Sequence, residues 1–343
     1  MSQKILVTGG AGYIGTHTCI ALHAAGYEMV VYDNLSNSSL EAMQRVSALI
    51  GQPIEFIEGD IRDAERLRQV FAAHQFFGVI HFAGLKAVGE SVAKPLWYYD
   101  NNVSGTITLL QMMQEYAVKN FIFSSSATVY GDPESLPITE ESKRSCTNPY
   151  GQSKLTVEYI LEDLSRADRT LNLITLRYFN PVGAHPSGQI GEDPNDIPNN
   201  LMPYISQVAV GKLEKLSIFG NDYATADGTG VRDFIHVTDL AQGHVAALEY
   251  LKQQTHPIGF LPINLGSGKG TSVLELVSAF TQVTAQPIAY QFAPRRAGDI
   301  ASCYASADKA KELLNWEAKL SINAMCEDTW RWQRNNPTGY GRC

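Results

Sequence analysis

Lys4-Ile5-Leu6-Val7-Thr8-Gly9-Gly10-Ala11-Gly12-Tyr13-Ile14-Gly15 is the stretch that decides the fold. A short apolar run reads as a strand, and the helical pattern over 13–25 follows a glycine-rich turn. Gly9, Gly12 and Gly15 satisfy Gly-x-x-Gly-x-x-Gly, and Gly10, Gly12 and Gly15 satisfy Gly-x-Gly-x-x-Gly. Such a turn brings backbone close to a pyrophosphate where a Cβ would intrude. The amides and positive dipole end of the following helix then face the anion. The next apolar run, 28–32, ends at Asp33, about 20 residues on. A carboxylate there accepts hydrogen bonds from a ribose diol and repels a 2′-phosphate, so NAD is expected over NADP.

Outward from this turn, apolar runs at 4–8, 28–32, 54–57, 78–82, 120–124 and 172–177 alternate with helical patterns at 13–25, 39–49, 63–74, 96–116 and 150–167. Strands alternating with helices predict an α/β fold, a Rossmann-like doubly wound parallel sheet. Beyond Asn180 the pattern changes. Residues 181–203 and 220–230 are rich in Gly, Asp, Asn, Thr or Pro. Shorter elements are expected near 201–210, 216–219, 238–251, 262–265 and 288–292, and Ser272-x-x-Glu275 reads as a capping box. The expected division is 1–180 for the dinucleotide and 181–343 mainly for the substrate, a smaller α/β domain, with about 231–265 returning to the first.

Composition narrows the function classes. The 343 residues are 44% hydrophobic and 18% charged, with a formal net charge of −8. That balance offers no basic field for nucleic acid or a membrane surface. No signal-peptide pattern or membrane-length apolar run is read. The five cysteines are scattered, without Cys-x-x-Cys, which suits reduced thiols in the cytoplasm. The eight histidines form no ligand motif, so no metal is expected. Gly266-Ser267-Gly268-Lys269-Gly270 lacks the P-loop spacing and reads as a glycine-rich helix entry.

Tyr150-Gly-Gln-Ser-Lys154 opens a helical pattern, and residues four apart share a helix face. A tyrosine titrates near pH 10, so a general base at neutrality needs its pKa lowered by ~3 units, or about 4 kcal/mol. An ammonium at Lys154 and a cationic nicotinamide would both act in that direction. Ser124-Ser125-Ser126 closes the fifth strand, where ligands bind in such sheets. Ser126, Tyr150 and Lys154 around a nicotinamide would remove an alcohol proton as hydride leaves its carbon.

At this point the residues resemble the extended short-chain dehydrogenase/reductase family, and within it the NAD-dependent nucleotide-sugar epimerases. The stretches that carry the resemblance are Val7 to Gly15, Gly59-Asp60-Ile61-Arg62, His81 to Ser91, Tyr98 to Asn102, Phe121 to Gly131, Arg177 to His185, Ile197 to Pro203, Gly228 to His236 and Pro294 to Asp299. The resemblance implies an isomerase that interconverts UDP-galactose and UDP-glucose, in galactose metabolism, by transient oxidation at sugar C4 with tightly held NAD. It assigns catalysis to Ser126, Tyr150 and Lys154. For NAD it implies Gly9, Gly12, Tyr13, Ile14, Gly15, Asp33, Asn34, Leu35, Ser36, Asn37, Ser38, Asp60, Ile61, Phe82, Ala83, Lys86, Asn101 and Phe179, with the catalytic three. For the UDP-sugar it implies Asn180, Asn200, Leu201, Ser217, Phe219, Arg232, Arg296, Asp299 and Cys303, with Ser126 and Tyr150. Related dehydratases carry an Asp-Glu pair after the strand-end hydroxyl, where this chain has Ala127 and Thr128. The small Cys303 leaves room for a 2-N-acetyl group, so UDP-N-acetylglucosamine is a further expected substrate. The resemblance also implies a homodimer joined through helices like 96–116 and 150–167, with Leu109, Met112 and Met113 as a candidate apolar face.

Overall fold

The computed structural model describes residues 3–194, 198, 200–296 and 298–341. Ile197, Asn199 and Ala297 of the stretches above, and Cys343, lie outside them.

The chain runs β1 (Lys4–Thr8), α1 (Tyr13–Ala24), β2 (Glu28–Asp33), α2 (Leu40–Ile50), β3 (Glu55–Glu58), α3 (Ala64–Ala73), β4 (Gly78–His81), α4 (Val88–Ala93), α5 (Pro95–Tyr99), α6 (Gly105–Glu115), β5 (Asn120–Ser126), α7 (Pro149–Ala167) and β6 (Asn172–Tyr178). It continues through β7 (Asn180–Val182), α8 (Leu201–Ala209), β8 (Leu216–Phe219), β9 (Val231–His236), α9 (Val237–Gln253), β10 (Gly259–Leu265), β11 (Gly270–Ser272), α10 (Val273–Thr284), β12 (Tyr290–Ala293), β13 (Ser302–Cys303), α11 (Asp308–Leu314) and α12 (Ile322–Asn335).

Seven parallel strands form the main sheet in the order β10-β6-β5-β4-β1-β2-β3. The central strands are buried almost throughout, because helices cover both faces. Ile5, Val7, Ile80, Ile122 and Ile174 pack on one face with α1, α2 and α9 residues such as Leu22, Val46 and Leu248. Leu6, Val79, Phe121 and Leu173 pack on the other with α3, α6 and α7 residues such as Leu67, Leu109 and Leu161. The alternation of partners along each strand is the period-2 geometry of the pleat.

A smaller lobe holds β7, β9, β11 and β13 in a second sheet and β8 with β12 in a two-stranded one, over a core that includes Met202, Ile205, Phe280 and Met325. Of the 231–265 segment, α9 and β10 lie on the main sheet and β9 lies in the small lobe. Crossings between the lobes include Phe179 alone between β6 and β7, β9 running directly into α9, Gly266 to Lys269 between β10 and β11, residues 304–307 between β13 and α11, and residues 315–321 between α11 and α12. Between the lobes, Ala127, Val129, Tyr130, Leu155, Phe179, Cys303 and Ala305 form a compact apolar seam.

The expected single helix over 96–116 is interrupted. A π-helical turn spans Asp100–Ser104 between α5 and α6. The Asn102 amide explains the break. Its Oδ1 accepts from Leu85 N at 2.8 Å, and its Nδ2 donates to Leu85 O and Ser153 Oγ, both at 3.0 Å. That buried clasp holds the backbone one residue out of α-register, and such turns collect at functional sites. Leu109, Met112 and Met113 do not form an outer face: they are buried in the core of their own subunit. The large apolar side chains that α4, α5, α6 and α7 leave exposed are Val88, Val92, Leu96, Trp97, Ile107 and Tyr159.

Candidate active site

The glycine turn divides its work unequally. Gly9 has φ +70°, and a Cβ on it would lie 2.4 Å from Ala83 N, the loop after β4. A Cβ on Gly15 would lie 2.6 Å from Gly10 Cα. At these two positions close packing within the protein by itself requires glycine. At Gly12 a Cβ would meet only Gly9 O, at 3.3 Å, so this N-cap of α1 faces free space above the strand ends. A cradle of this shape, over unpaired helix-start amides, fits a dinucleotide pyrophosphate.

Asp33 ends β2 beside it. Its carboxylate accepts from Ala11 N at 3.1 Å, Leu35 N at 2.9 Å and Ser38 Oγ at 2.8 Å. Burial raises its pKa and these three hydrogen bonds oppose that. Leu35, at φ +56°, occupies the left-handed region, strain of the kind that collects at ligand loops. Asp60 accepts from Arg62 and from Asn34 Nδ2, which hold its carboxyl down at about 2. The 34–38 loop and the β3 exit are thereby tied together; Ile61 is buried between Asp60 and the helix start at Gly105. Phe82 lies tilted against the His244 ring, 4.8 Å between centroids. Asn101 sits buried in the π turn, its Nδ2 donating to Asn102 Oδ1.

Tyr150 and Lys154 project from the first turns of α7, whose start is set by Pro149 and by Asn148, which caps Gly151 N. Ser126 Oγ accepts from Thr128 N at 3.2 Å, so its own proton is left free to turn toward the Tyr150 oxygen, whose pKa the Ser126 hydroxyl lowers. Lys154 Nζ donates to Ser124 O at 2.8 Å and lies 4.9 Å over the Phe123 ring. Burial lowers Lys154 to about 8. Burial also raises the Tyr150 phenol, while the Ser126 hydrogen bond and the Lys86 ammonium lower it. A protein cation that lowers the phenol, unnoticed in sequence, is Lys86 of the β4–α4 loop. Lys154, one turn along α7 from Tyr150, is held by a carbonyl and an aromatic face.

Glu192 is a residue the sequence reading missed. Its Oε1 takes Lys86 Nζ at 2.9 Å and Asn200 Nδ2 at 2.7 Å, which links the main-sheet loop to the small lobe. Tyr178, cross-strand partner of Ser126, was also missed; its hydroxyl bonds His244 Nε2 and approaches Ser124. Neither belongs to a spacing motif, since both partnerships join residues far apart in the chain.

The GDP-mannose 4,6 dehydratase family model matches residues 6–329. A UDP-glucose 4-epimerase of Bacillus subtilis is 60% identical over 338 residues, covering 98% of this chain and 99% of its own. The human UDP-glucose 4-epimerase is 55% identical, covering 99% of each. The chain belongs to the UDP-glucose 4-epimerase family. A crystal structure of UDP-glucose 4-epimerase from Bifidobacterium longum in complex with NAD+ and UDP superposes with a TM-score of 0.95 at 52% identity, covering 98% of this chain and 100% of that one.

The epimerase's remaining candidates line the small-lobe side. Asn180 starts β7 and Leu201 starts α8, with Asn200 as its N-cap. Leu216 and Ile218 are buried under β8, so Ser217 and Phe219 face outward from it. Arg296 lies 4.8 Å over the Phe219 ring and is bridged to Asp299 at 2.8 Å. Arg232, on β9, pairs in register with Cys303 on β13. Cys303 is buried in the seam, which pushes its thiol up to about 11. Ala127 and Thr128 form a short 3-10 turn after Ser126 and bring no carboxylate to the epimerase's reacting group.

Among the described residues no cluster of metal-ligating side chains occurs, and no helix is long and apolar enough to cross a membrane. Cys19, Cys146, Cys303 and Cys326 are free thiols.

Proposed function

We propose that this protein interconverts UDP-galactose and UDP-glucose by transient oxidation at sugar C4, with Tyr150 as the acid–base group. One observation carries the reading: Tyr150, half-buried at the start of α7 by the strand ends, has its phenol lowered by the Ser126 hydroxyl and the Lys86 ammonium. The Bifidobacterium longum relative's NAD+ and UDP support the same ligands here.

The glycine turn, Gly9 to Gly15, with Asp33 to Ser38, Asp60, Ile61, Phe82, Ala83, Lys86, Asn101 and Phe179, would hold NAD, which when bound accepts a hydride from C4 and returns it. Tyr150 takes the 4-hydroxyl proton while Ser126 steadies the shared hydrogen bond. Asn180, Asn200, Leu201, Ser217, Phe219, Arg232, Arg296 and Asp299 hold the nucleotide. Arg232 and Arg296 supply the charge-assisted bonds that a diphosphate takes. With the diphosphate anchored, the keto-sugar turns about its own link and presents its other face. Tyr150 then gives the proton back. Cys303, small and beside Arg232, leaves the 2-position uncrowded, so the N-acetylated UDP-sugars are substrates too.

Purified protein given UDP-galactose and no added NAD should form UDP-glucose, and denaturing it should release NAD. In parallel, UDP-N-acetylglucosamine should turn over, and Cys303→Tyr should remove that activity while sparing the plain sugar. No epimerisation in the first arm sinks the function; an unchanged ratio in the second sinks only the N-acetyl reading.

The protein functions as a cytoplasmic homodimer. Leu96, 83% exposed, with Trp97 beside it on α5 and Val92 and Tyr159 on neighbouring helices, makes the apolar face that a second copy would cover. Sedimentation as a monomer would remove that part.

A further inference from the structure

We propose that Glu158 is a positioning residue for this reaction: with Arg177 and Ser125 it fixes the register of α7 on β5 and β6, and so the distance between Tyr150 and Ser126. The inference rests on the catalytic reading of Tyr150.

Tyr150, Lys154 and Glu158 are spaced four apart and share one stripe of α7. Glu158 is fully buried. Its Oε1 accepts from Ser125 Oγ at 2.6 Å and Arg177 Nε at 3.0 Å; its Oε2 accepts from Arg177 Nη2 at 2.7 Å and Arg144 Nη1 at 3.5 Å. Ser125 and Arg177 are cross-strand partners on β5 and β6. The next pair in that ladder is Ser126 with Tyr178, pointing to the opposite face. One carboxylate therefore grips the pair directly behind the catalytic hydroxyl. Arg177 extends the grip to the segment after Ser126, through Tyr130 OH at 2.8 Å and Glu140 O at 3.1 Å, and Tyr130 in turn bonds Asn264 on β10.

α7 has two polar clasps on β5: Lys154 to Ser124 O, and Glu158 to Ser125 Oγ. Two fixed points define both the height and the tilt of a helix on a sheet; one would leave it free to pivot. A buried ion pair is a poor source of stability compared with apolar packing, so its use behind a reacting group points to geometric specification. Catalytic groups lose rate steeply when displaced by an ångström.

The charged and titratable groups around Glu158 are Arg144, Arg177, Tyr130, Cys146 and, through Arg144, Glu162. Those facing Tyr150 are Lys86, Tyr98 and Tyr178, with Lys154 one turn along. Loosening α7 weakens the Ser126 and Lys86 contacts to the phenol, both of which favour its ionised form.

The test compares wild type, Tyr150→Phe, Glu158→Gln and Ser125→Ala, with kcat for UDP-galactose counted per NAD-bound enzyme. Wild-type turnover and its loss in Tyr150→Phe settle the catalytic reading separately. For Glu158→Gln we expect kcat at least tenfold lower, KM within threefold, and the acid limb of the kcat profile moved to higher pH. Ser125→Ala, which leaves the ion pair intact, should show the same signature more weakly, and the double variant should be no worse than Glu158→Gln. Lowered melting temperatures with kcat per NAD-bound enzyme within twofold and superposed pH profiles would overturn the proposal. If Glu158→Gln does not fold, Ser125→Ala decides by the same criteria.

Discussion

Tyr150 is a base whose protein surroundings work against one another. Burial raises the phenol, and the groups that pull it down are one hydroxyl and one ammonium from separate segments. Lys86 is that ammonium, and it is shared with Glu192. Replacing it by Met removes a cation that favours phenolate, so less phenolate exists at any given pH. The Lys86→Met enzyme should therefore lose kcat at pH 7 per NAD-bound molecule and recover toward alkaline pH, because its phenol titrates higher. A wild-type profile in that variant would return the tuning role to Lys154. Tyrosine, lysine and serine were legible in sequence because their spacing places them at a helix start and a strand end. Which ammonium acts on which oxygen was not, because Lys86 and Tyr150 lie 64 positions apart and Lys86 sits in a loop without periodicity.

The strand–turn–helix unit at the start of the main sheet was read closely: β1 and α1 occur where the apolar run and the glycines predict them. Local signals of this kind suffice when an element's reason for forming lies within it, as in the Ser272–Glu275 capping box. The break after α5 was illegible because Asn102 is held by Leu85 and Ser153, neither of them a sequence neighbour. β7, β11 and β13 were also missed, being only two or three residues long. The glycines of the first turn separate two kinds of demand. Gly9→Ala places a Cβ against Ala83 N and asks an L-residue to hold φ +70°, so we expect at least about 3 kcal/mol of lost stability in urea unfolding. Gly12→Ala, with φ −74° and an open Cβ direction, should keep the urea midpoint near wild type and instead release NAD. Equal midpoints for the two variants would refute this division.

Across the whole molecule, burial keeps several histidines neutral. It lowers His17 and His81 to about 3 and His244 to about 4. His81 receives Thr8 Oγ1 at Nδ1 and gives its Nε2 proton to Thr106, whose own hydroxyl is donated to Asn102 O, so its neutral form is fully satisfied. Unfolded histidine titrates near 6.5. The folded values lie below that, so their contribution to stability is complete above pH 6.5 and is lost as pH falls toward the folded values. Each histidine removes up to ~1.4 kcal/mol per pH unit in that window. Urea midpoints should fall from pH 7 to pH 5, and a flat dependence would contradict the buried neutral assignment. The short crossings between the lobes, at Phe179, at the β9–α9 junction and over 266–269, have a consequence of their own. A hinge needs a few residues free to change φ and ψ, and a single residue or a direct strand-to-helix passage offers almost none. At these three places the two lobes are held like the jaws of a gauge, and we expect a sugar to pivot there inside a slot that widens little for it, so that bulk weighs in which sugars can turn over.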